Sequence, residues 1–483
     1  MLKVINKYKN LPITVKTSLI YVICNILQKG IAFIAVPIYT RIVPSEQYGL
    51  YSLYQSWDSI LSIFLTLQMW SYSYSKGMIK YEGNKDKFTT SLCGLSFVLT
   101  TVGLLIYTIF RKKFLFFSGL TDSIMLLMFL DIYLRPSFEY WCARQRFEYD
   151  VKKYAIVGVV LAVITPIISI FLVWLLKEEK GTALVAGKVL SAAPFYLAVF
   201  INILKRNRRI YDKDIWRYAL SFSLPLIPHF LSTVILAQSD RIMIGRMCNH
   251  SDVAIYSVAY SIAAVMLIFN SAIMDSIIPW TYQHLRKKDI RNLPWISNLS
   301  LLIISLLNIA IILVAPELVA IVAPSEYYKA VYVIPPVAAS NVFIFMFNLF
   351  ANIEYFYEKT YFVSIASCIA AATNIILNFI FIRRFGFVAA GYTTLICYII
   401  YALADYVFMK HISKKKFNEP IYKSTSLWTI SFATVGLSIG IIYLYKYFAI
   451  RLILLFILIY FACIKAKKYY SVFALIRKEG RKS

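Results

Sequence analysis

Three basic side chains lie inside long apolar stretches of this sequence, where a charge needs a partner. They are Lys29, Arg135 and Lys188, and all three belong to the first half of the chain. An unpaired charge in hydrocarbon costs about 3 kcal/mol or more, so such residues meet water, an opposite charge or an anionic ligand. These three side chains are therefore candidates for a cationic site that binds an anion.

The surroundings of Arg135 offer it counter-ions. Asp131 precedes it by four residues and Glu139 follows it by four, so on a helix both carboxylates share its face. Neutralisation of Arg135 by these two carboxylates within its own helix, in support of packing, explains the charge as well as anion binding does.

Lys29 and Lys188 have no acidic residue at these spacings. Each must reach water, a partner on another helix or an anionic ligand. For Lys29, the alternative to an anionic ligand is a pair with Asp58 in the next apolar stretch.

The elements that position these residues are apolar stretches, most of them long enough to cross a hydrocarbon core of about 30 Å as a helix. The sequence predicts fourteen of them, with short connections and no room for a soluble domain: 13–40, 48–75, 88–110, 120–141, 154–176, 182–204, 216–240, 254–280, 293–318, 331–353, 360–382, 387–409, 425–445 and 448–466.

The composition agrees with an all-α integral membrane protein. Hydrophobic residues make up 60% of the chain and charged residues 16%, against about 25% charged in a typical soluble domain. The basic N-terminal segment lacks the features of a removable signal peptide. The seven cysteines form no CxxC pair or Cys/His cluster, so we expect neither a disulfide framework nor a metal site.

The net charge of +27 is explained by membrane orientation. Most Lys and Arg residues fall in the N-terminal tail, the C-terminal tail and alternate loops, as the positive-inside rule requires of a cytoplasmic face. Both termini are therefore expected in the cytoplasm, and the basic surface is expected to face anionic lipid. Nucleic acid is not needed to explain the charge.

Two prolines interrupt the seventh stretch just before a histidine. Pro225 and Pro228 remove backbone donors and predict a break or kink in mid-membrane. Irregular backbone at that depth lines a cavity or is packed in protein. His229 is thus a candidate for a hinge or proton-coupling role, with a hydrogen-bonded packing residue as the alternative. Asp58, Asp275 and Asp405 are further candidates for cation coupling.

Two short segments resemble each other in the two halves of the chain. SEQYGLYSL, from Ser45, follows the first stretch, and SDVAIYSV, from Ser251, follows the seventh. Six helices separate them, so both copies have the same orientation in the membrane. This predicts a parallel repeat of two six-helix lobes around a central cavity.

Fourteen spans, two lobes and two extra C-terminal helices resemble the multidrug/oligosaccharidyl-lipid/polysaccharide (MOP) exporter superfamily. The segments SLPLIPHFLSTVILAQSDR (223–241) and YTRIVPSEQYGLYSL (39–53) resemble those of Wzx-type polysaccharide-unit flippases. The implied domains are an N-terminal lobe at 1–209, a C-terminal lobe at 210–412 and a final segment at 413–483. The resemblance implies alternating access by rocking of the two lobes.

The resemblance also implies a cargo and its surroundings. The cargo is an undecaprenyl-pyrophosphate-linked oligosaccharide, moved from the cytoplasmic to the outer leaflet of the cell (inner) membrane for lipopolysaccharide or capsule synthesis. A cationic cavity of Lys29, Arg135 and Lys188 answers the charge of the pyrophosphate. We expect no cofactor, an energy source in a Na⁺ or H⁺ gradient, and polysaccharide polymerase machinery as a partner.

Three residues near the outer helix ends have two interpretations. Arg41, Asp240 and Arg241 are explained as interfacial side chains that snorkel and cap helix ends. Their related positions in the two halves alternatively suggest an outer gate, an ion pair that breaks when the cavity opens outward.

Other functions stay open at this point. A cation-coupled multidrug exporter and a flippase for the peptidoglycan lipid precursor have the same fold, and the unpaired lysines favour an anionic cargo. A membrane enzyme such as a polymerase or ligase of the same pathway is disfavoured because no long loop is present. No GxxxxGK[ST] motif is present either, so we expect the driving force in an ion gradient or in downstream consumption of the product. We predict that Lys29→Ala or Lys188→Ala abolishes transport while the protein stays in the membrane.

Overall fold

A computed structural model describes residues 13–460, apart from the side chains of 13–19, Tyr72 and Val151. The described chain is helical and contains no strand. The helices in the first half are α1 (Ile13–Ile42), α2 (Ser45–Thr66), α3 (Tyr72–Lys80), α4 (Lys85–Ile109), α5 (Arg111–Ser118), α6 (Asp122–Phe147), α7 (Val151–Leu175), α8 (Lys180–Arg206) and α9 (Lys213–Ser223).

The second half continues in the same way. Its helices are α10 (Ile227–Met247), α11 (His250–Arg286), α12 (Leu293–Leu313), α13 (Ala315–Val322), α14 (Ile334–Phe356), α15 (Thr360–Phe385), α16 (Val388–Phe417), α17 (Ser424–Ile442) and α18 (Phe448–Tyr460).

The chain is a multi-pass membrane protein. Within residues 13–460, 11 helices are long and apolar enough to cross a membrane, or 12 if α5 and α6, bent by 97°, form one broken span. The predicted count of fourteen is not confirmed. The helix α2 carries Glu46, Asp58 and several serines, which lowers its apolar character, and the end of the fourteenth predicted stretch lies outside the described residues.

Two predicted stretches are interrupted. The second, 48–75, is not one helix: α2 ends at Thr66, and Leu67 and Gln68 take positive φ values of 52° and 43° before α3 begins. In the seventh, α9 passes through a 3₁₀ turn at Leu224–Leu226 into α10. The α-helical hydrogen-bonding pattern is thus broken where the prolines predicted it, while Lys213–Met247 continues as one span.

The chain divides into two compact units. The first comprises Met1–Val234 with Asn249–Ala254, and the second comprises Ile235–Cys248 with Ile255–Ser483. Buried aromatic residues such as Tyr74, Phe88 and Tyr140 form a core in the first unit. A core of the second unit centres on α14 and α16. The predicted domain limits at 209 and 412 stay a prediction.

Prolines inside helices distinguish the described parts of the two units. In the first unit Pro37, Pro136, Pro166 and Pro194 lie within α1, α6, α7 and α8. In the second, Pro279 lies within α11. Each removes one backbone hydrogen bond of its helix.

Candidate functional site

A cluster of four charged side chains lies inside the first unit, where α2, α6 and α8 meet. The guanidinium of Arg135 donates to both oxygens of Asp58, from Nη1 over 3.0 Å and from Nη2 over 2.6 Å. Nη2 also lies 3.6 Å from Asp131. The Nζ atom of Lys188 lies 3.6 Å from Asp58 and 4.0 Å from Asp131. The charges of two cations and two carboxylates therefore cancel in this cluster.

The cations occupy the accessible side of this cluster. The side chains of Lys188 and Arg135 are 29% and 19% exposed, whereas those of Asp58 and Asp131 are 6% and 3% exposed. Lys188 also donates to the hydroxyl of Tyr54 over 3.2 Å, and its Nζ lies 4.7 Å from the centre of that ring. A ligand that approaches the cluster consequently meets positive charge first.

The pairing lowers the cost of holding charges in the membrane. A bidentate arginine–carboxylate pair is among the strongest charge-assisted hydrogen bonds, and the four groups together carry no net charge. Removing one partner of such a buried pair costs about 3–5 kcal/mol, because the other charge is left alone. The cluster therefore stabilises the unit as well as presenting two cations.

A pocket of about 560 Å³ lies farther along α6 in the same unit. It joins charged groups, hydroxyl groups and aromatic rings, and its lining consists of Trp70, Ser71, Ser75, Glu139, Ala143, Arg146, Phe147 and Phe230. The break after α2 supplies Trp70 and Ser71. Aromatic faces with hydroxyl and charged groups are suited to binding a polar ligand that also has apolar faces.

Lys29 does not join the charge cluster. Its side chain is exposed on α1 and forms no ion pair with any residue between 13 and 460. The alternative pairing of Lys29 with Asp58 is not observed, because Arg135 and Lys188 occupy that carboxylate. Lys188 has its partners on other helices, one of the three situations that the sequence left open.

A buried carboxylate in the second unit is surrounded by neutral donors. Asp240 is 0% exposed. It accepts hydrogen bonds from the hydroxyl of Tyr256, from the side-chain amides of Asn378 at 2.6 Å and Asn374 at 3.3 Å, and from Thr394 Oγ1 at 2.7 Å. Four neutral donors from three helices thus surround one carboxylate.

Arg241 is also buried, but it takes different partners. It donates to the backbone oxygen of Ala237 over 2.9 Å and to Ser257 over 3.1 Å, and it lies 4.5 Å above the centre of the Tyr260 ring. The snorkelling interpretation expects the charged groups of Asp240 and Arg241 to reach the membrane interface, whereas both side chains are buried. Asp240 forms no ion pair with a described residue.

The remaining predicted residues are spread over the fold. Arg41 is exposed and donates to the backbone oxygen of Pro37 over 2.9 Å. His229 is half-buried near the start of α10, and its Nδ1 has no hydrogen-bond partner among the described residues. Asp275 is exposed on α11.

The two similar segments of the sequence meet within the first unit. Ser251 Oγ donates to Ser45 Oγ over 2.7 Å. At Gly49, an added Cβ atom would lie 1.8 Å from the backbone oxygen of His250, so only glycine allows this approach.

Sequence reasoning missed several neutral partners and one acid. Tyr54 and Thr394 occupy ordinary positions of apolar helices, and their roles depend on packing between helices. Asn374 and Asn378, one helical turn apart in an apolar stretch, carry a signal that could have been found. Glu354, discussed below, stands at the end of an apolar stretch and resembles an interfacial residue.

Comparison with known proteins supplies the family. The model of the family described as "Polysaccharide biosynthesis protein" matches residues 14–285. A curated relative, "Lsg locus putative protein 1" of Haemophilus influenzae, is 22% identical over 279 residues, which cover 56% of this chain and 67% of the relative.

Solved structures share the fold at low identity. A structure of the lipid II flippase MurJ in an inward closed conformation has a TM-score of 0.67 at 15% identity, covering 92% of this chain and 99% of the other. An inward-facing multidrug resistance transporter of the MATE family has a TM-score of 0.58 at 12% identity, covering 80% and 94%.

The chain therefore shares the fold of these solved transporters, one of which belongs to the MOP superfamily. Because the family model covers more than half of its length, the chain belongs to the polysaccharide biosynthesis protein family.

Proposed function

We propose that this protein is a flippase that moves undecaprenyl-pyrophosphate-linked oligosaccharide units from the cytoplasmic to the outer leaflet of the cell membrane by alternating access. The observation that carries the proposal is the arrangement of the charge cluster, in which Arg135 and Lys188 lie on the accessible side of two buried carboxylates. A diphosphate head group needs fixed cations to enter the membrane interior. Arginine presents paired donors that match phosphate oxygens.

The pocket on α6 is suited to the saccharide part of the same cargo. Glu139 follows Arg135 by one helical turn, about 6 Å along the axis, and Glu139 lines the pocket. Aromatic rings such as Trp70 and Phe147 can stack on sugar faces, while Ser71 offers a hydroxyl for hydrogen bonding. Diphosphate and sugar would therefore bind along one helix.

The proposed setting follows from the basic loops and the family. Basic residues in both tails and alternate loops support cytoplasmic termini and contact with anionic lipid. The family description supports a role in polysaccharide synthesis, which makes a polymerase of the same pathway a proposed partner. We place the energy source in a Na⁺ or H⁺ gradient, since buried carboxyl groups in spans are suited to binding a cation.

The first test is the sidedness of the lipid-linked oligosaccharide in cells depleted of this protein. We expect complete units to accumulate on the cytoplasmic leaflet while polymer is lost. Normal polymer together with raised sensitivity to cationic drugs would overturn the proposal in favour of multidrug export. Accumulation of the peptidoglycan precursor would assign the protein to that lipid instead.

A second test separates cargo binding from stability. The double variant Asp131→Asn with Lys188→Gln removes one carboxylate and one cation, so the cluster stays neutral and the Arg135–Asp58 pair remains. We expect transport to fall at least tenfold with normal membrane insertion. The matched control is Asp131→Asn alone, which keeps both cations. It leaves one positive charge uncompensated and should be less stable than the double variant, but it should retain transport per molecule inserted in the membrane. Wild-type transport by the double variant would contradict a cationic cargo site.

Lys29 is tested separately because it lies apart from the cluster. Lys29→Ala removes an exposed cation without leaving a partner charge, so the free energy of unfolding should change little. We predict reduced transport at unchanged protein level, with Lys152→Ala, an exposed lysine on α7, as the matched control. Unchanged transport by Lys29→Ala would exclude it from the cargo path.

A further inference from the structure

Two acidic side chains are completely buried next to each other in the second unit. Glu354 lies two residues before the end of α14, and Asp405 lies in the adjacent helix α16; both are 0% exposed. They interact electrostatically with each other. None of their four carboxyl oxygens has a hydrogen-bond partner among the described residues.

Aromatic packing holds the two helices in register at this level. The ring of Phe347 on α14 stacks on Tyr401 of α16, with centroids 4.2 Å apart. Phe350 lies 5.6 Å from Tyr406 on the same pair of helices. In this conformation the two acids therefore lie in an apolar and aromatic environment between α14 and α16.

The groups that face the pair are neutral. Tyr401 interacts electrostatically with both carboxyl groups and with Tyr355. The helices α12 and α17 carry no ionisable residue.

The helix α15, which packs against α16, carries Tyr361 and Cys368, and its two arginines stand at its far end, at 383 and 384. From α11, the ring of Tyr282 lies 5.3 Å from that of Phe356 near Glu354. The nearest lysine along α16, Lys410, lies over the ring of Tyr406, 6.0 Å from its centre. Neither acid forms an ion pair within residues 13–460.

Two adjacent ionised carboxylates cannot persist under these conditions. Burial without a partner disfavours the charged form of a carboxyl group, and a second carboxylate nearby disfavours it further. Asp240 shows the contrast, since four neutral donors surround it in the same unit. The side chains around Asp240 include oxygen atoms that suit a metal ion. Glu354 and Asp405 are surrounded by apolar groups instead, and this environment favours a proton as the cation that they bind.

We propose that Glu354 and Asp405 form a proton-binding site that couples transport to the proton gradient. In the conformation seen here both carboxyl groups carry protons. Opening of α14 against α16 admits water, each carboxyl group releases its proton to that water, and closure requires protons to be taken up again. The coupling rests on the proposed function, whereas proton binding by the pair does not.

The position of the pair indicates which side exchanges protons. Glu354 lies near the end of α14, and α16 continues beyond Asp405 to the basic residues 414–416. In the proposed orientation these helix ends face the cytoplasm. Protons would therefore be released to the cytoplasm over a short path, and coupling to the gradient requires that the pair take them up from the outer side in the outward-open state.

Infrared spectroscopy of the purified full-length protein tests proton binding directly, because protonated carboxyl groups have a carbonyl band that carboxylates lack. We expect a band that persists at neutral pH and falls stepwise in Glu354→Gln, Asp405→Asn and the double variant. The control Asp289→Asn should leave the band unchanged, since Asp289 lies in an exposed loop paired with Arg291 at 2.9 Å, which holds its pKa down at about 2.

Two results would overturn the proposal. A band unaltered by either substitution would show that the acids are ionised. Loss of the band when Na⁺ is added at constant pH would show that the pair binds a metal cation. If a single variant does not fold, Glu354→Asp, which keeps the carboxyl group, provides the same readout through a shift of the band.

Transport in proteoliposomes tests the coupling. With an imposed proton gradient, the wild-type protein should move lipid-linked oligosaccharide faster, and the Glu354→Gln/Asp405→Asn variant should lose that response. If the wild-type protein moves no such lipid, the proposed function fails while the infrared result stands. If it moves lipid with no response to the gradient, the coupling role is wrong.

Discussion

Asp58 and Asp240 are both buried carboxylates on helices of this membrane protein, but their environments stabilise them differently. Asp58 in the first unit is bound by two cations, Arg135 and Lys188. Asp240 in the second unit accepts hydrogen bonds from neutral hydroxyl and amide groups. One carboxylate is balanced by charge and the other by dipoles.

The difference indicates separate tasks. In the first unit the carboxylate is a counter-ion that keeps two cations in the membrane while their accessible sides stay available to an anion. In the second unit neutral donors surround Asp240, and their network holds α10, α11, α15 and α16 together. Cargo binding is therefore proposed for the first unit, and cation exchange for the second.

The largest expected effect comes from Asp58→Asn. This change leaves Arg135 and Lys188 with Asp131 as the one remaining carboxylate of the cluster, so one positive charge is uncompensated. We expect the free energy of unfolding to fall by about 3–5 kcal/mol. Thermal unfolding of the purified protein in detergent measures this change.

The control for this prediction is the double variant Asp58→Asn with Arg135→Gln, which restores neutrality through Asp131 and Lys188. It should recover most of the lost stability. Wild-type stability of Asp58→Asn alone would show that the cluster is solvated and that the comparison of the two carboxylates is wrong.

A smaller effect is expected from Asp240→Ala. The hydroxyl and amide donors of Tyr256, Asn378 and Thr394 lose their acceptor, but no charge is left unpaired. Each buried donor without a partner costs about 1–3 kcal/mol. Asn378 keeps its bond to Asn374 Oδ1 at 3.2 Å, and the hydroxyl groups of Tyr256 and Thr394 can bond to each other, so few donors are left without a partner. The same unfolding measurement should therefore rank Asp240→Ala below Asp58→Asn in effect, and the reverse order would contradict the distinction between charge and dipole balance.

Tyr256→Phe makes the comparison sharper because it removes one donor and keeps the ring. Asp240 retains its bonds from Asn378 and Thr394, so we expect a loss of about 1 kcal/mol. Tyr260→Phe serves as the control, since that ring faces Arg241 and keeps its contact without the hydroxyl. Equal losses of unfolding free energy in both variants would show that the hydrogen bond from Tyr256 to Asp240 does not contribute to stability.

The smallest effect is expected at a surface carboxylate. Asp212 caps α9 through the backbone amides of Asp214 and Ile215 and lies 2.5 Å from Lys87. The bond from Lys87 and these amides hold the pKa of Asp212 below its usual range. Asp212→Ala should cost about 1 kcal/mol at neutral pH.

The pH dependence of this effect follows from the sign of the pKa shift. Because the folded state lowers the pKa of Asp212, its contribution is present at neutral pH and lost as pH falls through the depressed value. Unfolding curves of wild type and Asp212→Ala should converge in acid. A difference that stays constant with pH would assign the effect to helix propensity.

The sequence predicted the helical membrane fold because apolar length alone identifies a span. The fifth predicted stretch, 154–176, lies close to α7 (Val151–Leu175). The break after α2 was missed, since Leu67 and Gln68 give no glycine or proline signal for their positive φ values. Local composition does not encode a turn that tertiary packing imposes.

The candidate site was only partly predictable. Arg135 and Lys188 stood out because a charge in an apolar stretch is visible in the sequence, and Asp58 was identified with a different partner. Which acid meets which cation depends on how helices pack, and no spacing along one helix reveals it. Glu354 was missed because its burial arises from the neighbouring helix α16.

The prolines inside α1, α6, α7 and α8 have a mechanical consequence. Each missing backbone hydrogen bond is a compliant point at which a helix bends at reduced energetic cost. Pro136 is adjacent to Arg135, so bending of α6 there and the geometry of the Arg135–Asp58 pair are linked. In the first unit, points at which helices can bend thus lie beside an ion pair. An anion that weakens the Arg135–Asp58 pair would make bending of α6 at Pro136 easier.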